Sequence, residues 1–166
     1  MMLKGKTLAI GLSLVTTGAI CAAFRPAAQV NEPIIQISTL RPTETLDVFY
    51  KSLGCFNQSG YALKFTNKSG LMVEISEQDK QSQKPVFHRL GVLKLSAADA
   101  KGLDSLLKFY RSNPKGGCTT IDQTELALKT SNRVIRKESY VDASCSASEK
   151  PGVITFGELV GRLNSH

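Results

Sequence analysis

Tryptophan is absent from the 166 residues, and the aromatic share is only 7%. That is too little to suggest a stacking platform for sugars or single-stranded nucleic acid. Histidine occurs only as His88 and His166, and His166 ends the chain. A thiol or hydroxyl nucleophile therefore has few possible bases. No paired Cys or His spacing suits zinc, so no metal is expected. There is no Gly-x-Ser-x-Gly elbow and no phosphate-binding glycine loop, so neither a cofactor nor a catalytic set is expected. The formal charge is +7, but no block of five basic residues occurs. A dispersed excess of this kind does not argue for nucleic acid. It fits a solvated basic surface, or one that lingers near anionic envelope surfaces.

What is present begins at the amino terminus. Lys4 and Lys6 precede an uncharged, apolar run from Thr7 to Phe24, and Ala22, Ala23, Ala27 and Ala28 follow. A basic start, an apolar middle and a small-residue exit read as an export signal over residues 1–28, cleaved after Ala23 or Ala28. Two alternatives stay open. One is a retained anchor, since the run just reaches membrane-spanning length. The other is lipidation of Cys21, which Ile20 disfavours because a small residue usually stands there. No later apolar run is long enough to span a bilayer, so no integral span is expected after processing.

The mature chain, 29–166, has the size of one domain. Loss of Lys4, Lys6 and Arg25 lowers the formal charge from +7 to +4. A periplasmic or secreted location permits disulfides. Cys55, Cys118 and Cys145 remain, which allows three single-bridge pairings. A hairpin is expected from Thr124–Lys129 and Val134–Val141 around Ser131-Asn132. A two-residue turn there sets Leu128 opposite Ile135, Leu126 opposite Lys137 and Cys118 opposite Cys145. Directly opposed residues lie within disulfide reach, so Cys118–Cys145 is the expected bridge. Cys55 is then a buried apolar residue, an intermolecular bridge or a reactive thiol.

Other elements follow from periodicity. Ile34, Ile35 and Ile37 suit a strand over 33–38. Leu46, Phe49, Tyr50 and Leu53 form a helical stripe behind Thr43, with Gly54 as terminator. A hairpin is expected from 61–66 and 71–76 around Asn67–Gly70. Residues 77–84 read as an exposed loop, and Val86–Leu95 as a strand. Ser96 and Asp99 form a capping-box pattern ahead of Ala100, Leu103, Leu106, Leu107 and Tyr110, a helix in which Gly102 costs about 1 kcal/mol. Thr155 and Glu158 cap a last helix with Ile154 and Leu159 as its staple. The expected layout is β-α-ββ-β-α-ββ-α. This is an α+β fold: an antiparallel sheet of two hairpins plus extra strands, with about three helices on one side. The tripeptides Ala62-Leu63-Lys64 and Ala127-Leu128-Lys129 recur in the two hairpins, a likeness that shared hairpin composition explains.

Candidate functional residues are few. Asp122 and Asp142 are expected near each other beside the bridge, either as a carboxylate pair or as strand-end residues. His88 reads as a packed or surface residue. Asn57 and Asn67 match the glycosylation pattern, which matters only in a eukaryotic secretory route. The polar loops supply candidate contacts at Glu77, Gln78, Asp79, Lys80 and Lys84, and at Ser148, Glu149 and Lys150. The expected function is a small exported, non-enzymatic binding protein, in its most specific form an inhibitor or immunity-type protein, acting on a protein of the envelope or extracellular space. The alternatives are an envelope assembly component that adds a partner's strand to a sheet edge, and a small enzyme using the Cys55 thiol.

Overall fold

The computed structural model describes residues 34–54, 58–80 and 85–165, which belong to the unit Pro33–His166. Residues 1–28, expected to be an export signal, and also Cys55 and Lys84 lie outside the described residues. Six strands form a single antiparallel sheet: β1 (Glu44–Leu53), β2 (Gln58–Thr66), β3 (Met72–Gln78), β4 (Phe87–Lys94), β5 (Ile121–Thr130) and β6 (Arg133–Asp142). Their order across the sheet is β4-β3-β2-β1-β5-β6. Two α-helices, α1 (Ala97–Arg111) and α2 (Phe156–Asn164), and a short 3-10 turn at Ala147–Glu149 complete the described elements.

The expected helix at 43–53 is instead β1, the central strand, paired along its length with both β2 and β5. The segment fits two periods at once. Leu46, Phe49 and Tyr50 share a helical stripe, but Leu46, Val48 and Tyr50 also alternate. Thr45, Val48, Phe49 and Tyr50 are β-branched or aromatic and favour a pleated surface. Two flanking strands then decide the outcome. Leu46, Val48 and Tyr50 enter the core, while Asp47, Phe49 and Lys51 fall on the opposite face.

Residues 34–38 are not a strand either. Ile35 and Ile37 are buried as alternation predicts, but side chains satisfy their backbone. Glu138 accepts from the Ile35 amide at 3.3 Å, and Asp104 accepts from the Ile37 amide at 2.6 Å and the Ser38 amide at 3.3 Å. Arg111 donates to the Ile35 carbonyl at 2.8 Å. Glu77 and Gln78, expected in a loop, end β3.

The helices form as their caps dictate. Ser96 with Asp99 and Thr155 with Glu158 both close reciprocal capping boxes. Leu103, Leu106 and Leu107 of α1 and Phe156 and Leu159 of α2 pack with Leu46, Val48, Leu63, Phe65, Val73 and Ile75 of the sheet into one core. Arg162 ties α2 to Asp99 of α1 at 2.8 Å. Gly102 acquires a reason here. A Cβ at this position would lie 2.7 Å from Ile154 Cγ1, and the Gly102 carbonyl accepts from the Ile154 amide at 3.2 Å. Gly102→Ala is therefore expected to lower the thermal midpoint by an overpacking cost of about 1–3 kcal/mol, against a helix-propensity gain of about 1 kcal/mol. A raised midpoint in a thermal melt would contradict this packing.

The second hairpin turns at Ser131 and Asn132, both left-handed with φ of 48° and 66°, as a tight hairpin turn requires. Its register differs from expectation. Ile135 is an extra residue, so Leu128 faces Arg136 and Leu126 faces Glu138. The Cys118–Cys145 disulfide nonetheless forms, with a Cα separation of 5.8 Å. Both cysteines lie beyond the ladder. The Cys118 amide donates to the Ala143 carbonyl at 2.9 Å, and Cys145 is left-handed with φ 54°. That turn absorbs the one-residue offset left by the bulge.

Candidate binding face

Among the described residues the helices cover one face of the sheet and leave the other open. Cross-strand register places Glu74, Lys64, Asp47, Ala127 and Lys137 in one row across β3, β2, β1, β5 and β6. The next row holds Ser76, Ala62, Phe49, Glu125 and Ser139. Small side chains at Ser76, Ala62, Ala127 and Ser139 thus alternate with charged ones around Phe49 on the central strand. A concavity of about 950 Å³ lies over these residues, with Pro85 and Phe87 on one wall and Glu125, Lys137 and Ser139 on the other.

The ring contact between Phe49 and Phe87 explains the hollow. They stand on β1 and β4, three strand spacings or about 14 Å apart in a flat sheet. Their centroids are 5.8 Å apart and edge-to-face. Ala62 and Ser76 between them are short enough to let the rings meet above the strands. Lys51 stacks its ammonium on Phe49 at 5.0 Å from the ring centre. Next to the hollow, Lys129 pairs with Asp47 at 2.5 Å and Arg89 with Glu74 at 3.5 Å. The charges alternate in sign along the face, so it presents neither a basic track nor an acidic one.

The sequence-derived contact residues fall elsewhere. Glu77 and Gln78 end β3, Asp79 lies 3.8 Å from His88, and Lys80 is exposed. Ser148 and Glu149 belong to the 3-10 turn, and Lys150 reaches over the Phe109 ring at 5.9 Å. Strands β2, β1 and β5 separate β3 from β6, so the two loops do not form one surface. His88 is exposed. Asp122 and Asp142 are brought face to face as a cross-strand pair. Among the described residues no group of three His, Cys, Asp or Glu side chains is arranged to hold a metal, and no helix is long and apolar enough to cross a membrane.

Phe49, Ala62, Ala127 and Phe87 are the site residues that sequence reasoning missed. A signal existed in the paired Ala-Leu-Lys tripeptides. They lie on β2 and β5, the two strands that flank β1, and each turns its alanine toward the open face and its leucine toward the helices.

On the helix side, Glu138 is the main polar junction. It accepts from the Ile35 amide, Arg111, Arg136 and the Tyr140 hydroxyl. Burial pushes its carboxyl up, but the donors of Tyr140, Arg111, Ile35 and Arg136 outweigh this and hold it below the usual glutamate value. Tyr140, buried and bonded to that carboxylate, is pushed up to about 12. No protein-family model matches the chain, and neither curated proteins nor solved structures yield a match.

Proposed function

We propose that the chain is an exported, non-enzymatic binding protein that holds a polypeptide segment of a partner protein across the open face of its sheet. The carrying observation is the hollow of about 950 Å³, whose lining sets small residues and Phe49 among charges of both signs. Such a mixed lining suits a chain that carries apolar, acidic and basic side chains together. A nucleic acid needs a continuous basic surface, and here Lys64 stands between Glu74 and Asp47. The export segment and the Cys118–Cys145 disulfide support action outside the reducing cytosol, in the periplasm or beyond the cell. An inhibitor or immunity-type role on an envelope or extracellular protein is the specific form this reading takes.

Filling the hollow tests it. Ala127→Arg places a long side chain on the floor between Asp47 and Lys137. The processed protein, purified from its native envelope, is expected to retain a partner that the Ala127→Arg protein loses, with little change in thermal midpoint. Equal retention by both proteins would remove the open face from the account.

A further inference from the structure

We infer that Asp122 and Asp142 form the core of a site for a hard, oxygen-seeking cation of the calcium class, at the sheet end beside the disulfide. Three observations on the helix side of the sheet carry this. Asp122 and Asp142 are direct cross-strand partners, so their Cβ atoms lie about 5 Å apart. Like charges so placed repel one another. Among the described residues neither carboxylate takes part in an ion pair. The pair therefore lacks a countercharge.

The second observation is an orphaned hydroxyl. Thr124 is 1% exposed and stands two residues along β5 from Asp122, on the same face, opposite Tyr50 and Tyr140. Its Oγ1 makes no hydrogen bond of ordinary geometry and has only a loose interaction with the Tyr110 hydroxyl. Buried polar atoms in native proteins almost always have partners, and an exception calls for a water or an ion.

The third observation is Asp122 itself. Its Oδ1 is buried and also without a partner, while Ser52 and Tyr50 set their hydroxyls against the carboxylate. Asp142 uses Oδ1 for the Ser144 amide at 2.8 Å and the Ser144 hydroxyl at 2.5 Å, which fixes the orientation of its carboxylate. The Tyr50 hydroxyl meets the Asp122 carboxylate and the Tyr110 hydroxyl lies beside Thr124, which adds two phenol oxygens to the site.

Carboxylate and hydroxyl oxygens without nitrogen or sulfur select a hard cation over zinc. An irregular oxygen set suits calcium, which accepts six to eight ligands flexibly and takes water for the remainder, better than magnesium with its strict octahedron. Exported domains commonly bind calcium at about 10⁻⁴–10⁻³ M.

The test uses the processed chain, stripped with chelator and melted with and without 10 mM calcium chloride. Binding to the folded state is expected to raise the wild-type midpoint by about 5 °C, with a smaller rise in magnesium. The rise should vanish in Asp122→Asn and persist in Glu74→Gln, an acidic residue of the open face. Thr124→Val, which alters no charge, should weaken the rise and serves as the variant if Asp122→Asn does not fold. A midpoint unmoved by calcium, or an equal rise in Asp122→Asn (in Thr124→Val where it replaces that variant), overturns the site.

Discussion

Glu138→Ala is expected to destabilise the protein by about 2–3 kcal/mol, because it takes a charged acceptor from two half-buried guanidinium groups. The Glu138 side chain is only 8% exposed and meets Arg111 at 2.7 Å and Arg136 at 2.8 Å. Removing it also frees the Ile35 amide and so loosens the segment that places Ile35 and Ile37 in the core. Glu138→Gln keeps the shape and some of the hydrogen bonds but not the charge, so a smaller loss is expected. Urea denaturation of both variants separates charge from geometry.

The same residue predicts a pH dependence. Its folded carboxyl titrates below the ordinary value of 4.5. In that window the unfolded chain binds more protons, so stability rises with pH. The contribution is whole above the ordinary glutamate value and is lost as pH falls through the lower folded value. Denaturation midpoints of wild type and Glu138→Gln should converge on acidification below about pH 4.5. A constant gap between them at all pH values would mean that the ionised carboxylate contributes nothing.

Loss of the Cys118–Cys145 bridge carries the other large effect. The two residues are 27 apart in sequence, and a closed loop of that length stabilises by about 3–4 kcal/mol, chiefly by restricting the unfolded chain. The Cys118→Ser/Cys145→Ser double variant should fall by that amount in urea denaturation. Reduction of the wild type should reproduce the fall, with Cys55→Ser as background so that no other thiol contributes. The effect should concentrate on β6, which has β5 as its one neighbour in the sheet. Amides of Arg136 and Ser139 are then expected to exchange faster than those of Val48. Identical denaturation midpoints for oxidised and reduced protein would make the bridge energetically idle.

Local chemistry was legible in the sequence and tertiary choice was not. Both capping boxes, both hairpin turns and the α1 stripe follow from a few adjacent residues, and all form. Residues 44–53 carry two compatible periods, and the choice between them depends on β5, which begins only at Ile121. The Ile35 and Ile37 amides find Glu138 and Asp104, partners that no local pattern announces. The bridge was legible through chain reversal even though the Ile135 bulge altered the register. The open face was hidden for a related reason. Reassigning 44–53 from helix to strand is what turns Phe49 away from the core and over Ala62.

The central place of β1 has a kinetic consequence. β1 meets β2, the next strand in the chain, but its other border stays open until α1 has been traversed and β5 arrives, with Leu53 waiting for Ile121 and Glu44 for Thr130. Such distant pairings raise contact order and slow the search for the native topology. A newly made chain would thus carry an unsealed, half-apolar ribbon for much of its maturation, and that interval is where a chaperone would have most to protect.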